Sequence, residues 1–189
     1  MFENLSRSYY NQGLRMARED QIGPAVQSLA KAVCYHSDNI EAWNLAGLCC
    51  YRLGKYKTAE YCWTQSVNKR QEENAACGYL ADLRKALEET APCFSQVASL
   101  CRQEKYGQAA GILSKEICTR FDLATGLLNF LGVLQVLDGK MNEAVKCWTT
   151  VLALDKADPD AGLYLEDMEK RLSYKLLKWK ERLFKKDIF

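Results

Sequence analysis

The residues best suited to chemistry are nine cysteines and one histidine, and their spacing decides what they can do. Cys34, Cys49, Cys50, Cys62, Cys77, Cys93, Cys101, Cys118 and Cys147 contain no C-x-x-C pair, and only His36 could join them. The tetrahedral thiolate and imidazole set of a structural zinc is therefore not encoded. A nucleophilic thiol needs an electropositive neighbour or a base to hold it as thiolate; a reactive thiol stays an open alternative with no motif behind it. Cysteines in such settings serve as small apolar core side chains. The carboxylate pairs Glu72-Glu73 and Glu88-Glu89 are adjacent in sequence, which on a helix turns them apart, so they read as solvated surface. His36, between Tyr35 and Ser37, falls near the end of a predicted helix, an ordinary place for a surface cation. No phosphate-cradling glycine loop, H-E-x-x-H or G-x-S-x-G motif occurs. These observations predict a protein that is not an enzyme and takes no cofactor or metal.

The elements that carry these residues belong to an ordinary globular chain. Its 189 residues are 48% hydrophobic and 26% charged, enough to bury a real core. Met1 to Gly13 mixes Glu3, Arg7, Asn4 and Asn11 with aromatics and lacks the apolar stretch of an export signal. No apolar run approaches the ~18 residues of a membrane span. An odd cysteine count would leave an unpaired thiol in an oxidising compartment, so the expected location is cytoplasmic.

Self-similarity appears on two scales. Tyr9, Gly13, Ala25, Leu29 and Ala32, shifted by 34 residues, become Trp43, Gly47, Ala59, Trp63 and Ser66. Small residues at Gly47 and Ala59 let two helices approach toward the short end of the ~8–10 Å packing range, while Trp43 and Trp63 fill the space between helices. Gly54, in Leu53-Gly54-Lys55, stands where a helix C-terminus commonly needs positive φ. This pattern resembles the tetratricopeptide repeat, a 34-residue pair of antiparallel helices. The resemblance implies an all-α helical-hairpin solenoid whose role is binding other proteins. It is best over residues 40–68 and 126–153 and weakest at the first helix of 92–120, where Cys93, Gln96 and Val97 replace the preferred bulky residue, Leu and Gly.

A second repeat, of 84 to 85 residues, carries the first half onto the second. Gly23, Ala25, Leu29, Lys31 and Cys34 align with Gly107, Ala109, Leu113, Lys115 and Cys118. Asn44, Gly47, Gly54, Ala59, Cys62 and Trp63 align with Asn129, Gly132, Gly139, Ala144, Cys147 and Trp148. Tyr79, Leu80, Asp82 and Lys85 align with Tyr164, Leu165, Asp167 and Lys170. The expected organisation is two duplicated modules, 1–90 and 91–189, each of two repeats plus one extra helix, about ten helices in all. Hairpins are expected near 6–36, 39–70, 92–120 and 122–156, with extra helices near 73–89 and 159–186. Asp158-Pro159 suits the start of the last one, and Pro92 marks an expected helix start that breaks regular stacking near Glu89.

In proteins of this repeat family the first helices line a concave groove for partner peptides. Carried onto this sequence, that groove comprises Tyr10, Leu14, Asn44, Leu48, Tyr51 and Arg52, then Phe94, Ala98, Asn129, Val133, Val136 and Leu137. Asn44 and Asn129 could pair with a peptide backbone through their amides, or be solvated or bonded within their own helices. The carboxylate clamp of chaperone-binding members is missing, because its positions read Tyr10, Leu14, Leu45, Ala75 and Tyr79. The aromatic and aliphatic lining suggests an apolar peptide or helix, or another helix of the same protein.

From Tyr174 to Phe189 six basic residues face two acidic ones, leaving 20 basic against 22 acidic elsewhere. On a helix Leu172, Leu176, Leu177, Leu183 and Phe184 share one side and Lys175, Lys178, Arg182, Lys185 and Lys186 the other. This segment can cap the last repeat, assemble a homodimer, or lie on an anionic membrane. Nucleic acid is not expected, since no aromatic and basic surface module accompanies the lysines. The leading reading is a scaffold or adaptor for an unidentified protein or peptide partner.

Overall fold

The computed structural model describes residues 2–121 and 124–184, with side chains to Arg171. Nine α-helices form among them: α1 Phe2–Arg18, α2 Ile22–Tyr35, α3 Ile40–Arg52, α4 Tyr56–Lys69, α5 Ala76–Arg102, α6 Tyr106–Ile112, α7 Thr125–Leu137, α8 Met141–Leu154 and α9 Pro159–Phe184. A π-helical turn, Leu113–Ile117, prolongs α6. Each helix packs chiefly on its sequence neighbours, giving hairpins α1/α2, α3/α4, α5/α6 and α7/α8, with α9 laid on α8. The fold is an all-α solenoid of tetratricopeptide type.

The hairpins close where the small residues stand. Gly47 on α3 lies directly against the Trp63 indole of α4, and a Cβ at Gly132 on α7 would stand 2.5 Å from Trp148 Nε1 on α8. Both indoles are buried. The turns inside the four hairpins each use left-handed backbone, at Asp20 (φ 60°), Gly54 (73°), Glu104 (58°) and Gly139 (80°). Only the second and fourth carry the residue that adopts it without steric cost.

The helix break expected at Glu89 to Pro92 is absent. The two helices expected near 73–89 and 92–104 are one, the 27-residue α5, with Pro92 inside it. Residue 90, the expected module boundary, therefore lies in mid-helix. Proline removes one backbone bond and crowds the preceding turn. Pro92 faces solvent, where the released carbonyl can be hydrated, while Thr90 is buried and donates to the Ala86 carbonyl at 2.7 Å. Packing at both ends, through Leu80, Leu83 and Val97, holds the helix together across it. First and second helices then alternate regularly, with α5 an overlong first helix.

The largest core cluster draws on both halves, from Cys50 and Trp63 through Leu83 and Val97 to Phe121 and Leu134. At its centre Phe121 is fully buried, 4.4 Å from the Tyr56 ring, 6.5 Å from Tyr51 and 6.2 Å from Phe94. The first and last turns of the solenoid also meet. Asp155, almost fully buried, accepts from the Ile22 backbone N–H at 2.9 Å, and Lys156 N–H donates to the Asp20 carbonyl at 2.7 Å. Because α2 has no side-chain cap of its own, Asp155 satisfies one orphan donor of that helix from the far end of the fold.

Candidate functional site: the clefts between first helices

Two side chains set the spacing of the first helices. Asn44 on α3 donates to Asn74 Oδ1 at 3.0 Å, and Asn74 Oδ1 also accepts the Ala76 backbone N–H at 3.0 Å, starting α5. Asn129 on α7 donates to both Asp158 oxygens at 3.1 and 3.2 Å, while Asp158 Oδ1 accepts the Ala161 N–H at 2.9 Å, starting α9. Asn74 and Asp158 are themselves 84 residues apart. The repeat thus encodes one device twice: an asparagine on a first helix grips the residue that caps the next first helix.

The twelve residues expected to line the grooves are consequently distributed, with Ala98 and Leu137 exposed. The amide nitrogens of Asn44 and Asn129 bond across to the starts of α5 and α9, while their amide oxygens are buried and accept no hydrogen bond. Arg52 is likewise engaged, donating to the Leu154 carbonyl at 3.0 Å and lying 3.6 Å from the Asp20 carboxylate. Phe94 turns toward Phe121. Val133 and Val136 are half-buried against Leu128, Trp148 and Met168. Tyr10 borders a polar hollow of about 580 Å³ with Glu3, Arg7, His36, Asp38 and Glu41. Leu14 is half-buried on α1.

Leu48 and Tyr51 do meet in a cleft. They form one wall, α5 supplies Tyr79, Leu83 and Ala86 as the other, and Trp63 is at the base of a hollow of about 410 Å³. The Trp63 and Tyr79 rings are 5.4 Å apart, and the indole N–H donates to the Asn44 carbonyl at 3.2 Å. Asp82, Lys85 and Arg120 also line it; Arg120 is paired with Glu89. The corresponding pair in the second half, Trp148 and Tyr164, is 4.8 Å apart.

Burial and thiol pairing shape the buried cysteines, and the Cys50 thiol is held below its ordinary value by its hydrogen bond with Cys62. Burial pushes Cys49 up to about 12 and Cys118 up to about 11, and the Cys62 thiol is raised by its hydrogen bond with Cys50 and by burial. Among the described residues no group of three or more His, Cys, Asp or Glu is placed to hold a metal ion. None of their helices is long and apolar enough to cross a membrane.

No protein-family model matches the chain. No curated protein sequence matches it either. Among solved structures it is similar to the tetratricopeptide-repeat domain of P58(IPK), at 12% identity and TM-score 0.47, over 90% of this chain and 56% of that one. The chain thus spans little more than half the length of that domain. It is also similar to MamA of Desulfovibrio magneticus RS-1, from residue 41 to the end, at 16% identity and TM-score 0.37 over 99% of each chain. A double mutant of MamA RS-1 gives 16% identity and 0.38 over the same shares. The assignment of repeat type rests on this chain's own hairpins.

Proposed function

We propose that this protein is a non-catalytic interaction scaffold that takes a segment of a partner protein into the cleft between α3 and α5. The observation that carries the reading is the hollow walled by Leu48, Tyr51, Tyr79 and Leu83 over Trp63. The other expected groove residues are largely engaged by the fold, whereas this cleft stays open and concave. Its volume lies in the range of pockets that seat one anchor group, and its aromatic walls suit a large apolar side chain. Lys85, exposed at the rim, favours an acidic residue beside that anchor.

Selection from a displayed random-peptide library tests this. Enriched peptides should share one large apolar anchor and bind with a change in Trp63 fluorescence. Tyr79→Ala and Leu48→Glu should each weaken binding at least tenfold, about 1.4 kcal/mol. Failure to enrich any peptide, or equal binding by both variants, contradicts the reading.

A further inference from the structure

α7 is uncharged and mostly apolar from Thr125 to Leu137, with Thr125, Asn129 and Gln135 its polar side chains. Helices of that kind are ordinarily buried on all sides. Here Phe130 is 41% and Leu137 52% exposed, and with half-buried Val133 they fall at i, i+3 and i+7, on one face. α7 and α9 both run antiparallel to α8 and so parallel to each other. The Asn129 to Asp158 bonds join the two helices near the start of α9. The second half thus leaves an apolar strip exposed along α7.

The start of α9 is acidic on balance. Residues 158–171 carry Asp158, Asp160, Glu166, Asp167 and Glu169 against Lys170 and Arg171, which pair with Glu166 and Asp167. The complementary charge follows in the sequence, where residues 174–189 carry six basic residues against two acidic ones. α9 has 26 residues and its partner α8 only 14, so α9 runs on for about 18 Å at 1.5 Å per residue. Its substantial packing is with α8 alone. A continuous helix pointing away cannot return to its own α7.

We propose that the apolar strip of α7 and the acidic start of α9 receive the basic C-terminal segment of a second copy of this chain. The exchange is reciprocal and closes a twofold dimer, with a helix laid in a groove by its apolar face and its register steered by the charge match. The inference is independent of the cleft between α3 and α5.

Light scattering after size-exclusion chromatography of the full chain tests it. The wild type should have twice the 21.5 kDa chain mass. Phe130→Glu with Leu137→Glu, both at exposed positions, should give the single-chain mass with unchanged circular dichroism. Lys178→Glu with Arg182→Glu should do the same through the other half of the contact, whereas Leu48→Glu should leave the dimer intact. A wild type that stays monomeric into the high micromolar range overturns the proposal, also if it binds anionic vesicles through the basic segment. So does a dimer that survives Phe130→Glu with Leu137→Glu.

Discussion

Asn129 holds the Asp158 carboxylate across the gap between two parallel helices, as Asn44 holds Asn74 half a chain earlier. Each bond joins the middle of a first helix to the start of the next. Asn44→Ala should therefore loosen α5 as well as α3, costing about 0.5–1.5 kcal/mol for the lost hydrogen bond to Asn74, which keeps its bonds to Ala76, Ser66 and Arg70. Urea unfolding gives the loss, and hydrogen exchange should speed up at the first turn of α5. Exchange confined to α3 would argue against the link.

Glycines in this chain answer to two different requirements. Gly47→Ala drives a methyl into the Trp63 indole and should cost about 1–3 kcal/mol. Gly23→Ala in the first turn of α2, where a Cβ meets nothing within 4 Å, should stabilise by up to about 0.5 kcal/mol, a part of the mid-helix gain of alanine over glycine. Opposite signs in thermal melts of the two variants check the packing; equal effects contradict it.

The hairpin turns permit a second comparison. Glu104 adopts φ 58° at the position where Gly54 and Gly139 stand in the neighbouring hairpins, and left-handed backbone costs a residue with a Cβ about 1–2 kcal/mol. Glu104→Gly should raise stability by several tenths to about 1 kcal/mol. Gly139→Ala, with open space around it, should lower it by strain alone. Chemical denaturation of both variants measures these shifts.

Much of this was legible in the sequence because it is local or repeated. The 34-residue shift located Gly47 against Trp63, and the 85-residue shift paired Trp63 and Tyr79 with Trp148 and Tyr164. Gly54 announced its turn. Asp20 and Glu104 did not, since neither residue type signals left-handed backbone as glycine does. Pro92 misled for a physical reason: proline opens helices more readily than it sits within them, and only tertiary packing on both sides of it made α5 continuous. Phe121 and Asp155 carried no signal at all. Their partners, Tyr56 and the Ile22 N–H, lie far away along the chain, and no periodicity reports such a meeting. The caps Asn74 and Asp158 are one residue out of the 85-residue register that holds on both sides of them, so the repeat did not announce them.

Cysteine reactivity should follow burial. Cys49 at about 12 and Cys118 at about 11 hold about one thiolate in a thousand or fewer at pH 8, whereas Cys34 is exposed. Limited alkylation with iodoacetamide, read by peptide mass spectrometry, should modify Cys34 first and leave Cys49 intact in the folded protein. Labelling of both thiols should rise as pH approaches their raised values. Early modification of Cys49 in the native state would contradict its burial.

The most direct test of the scaffold reading is where a bound peptide is felt. Amide chemical-shift mapping with a peptide selected against the full chain should move resonances of Leu48, Tyr51, Trp63, Tyr79, Leu83 and Lys85, and leave the closure at Asp20, Ile22 and Asp155 unmoved. Shifts confined to other surfaces, with these six unchanged at saturation, would contradict the assignment of the cleft between α3 and α5 as the place where this protein meets its partner.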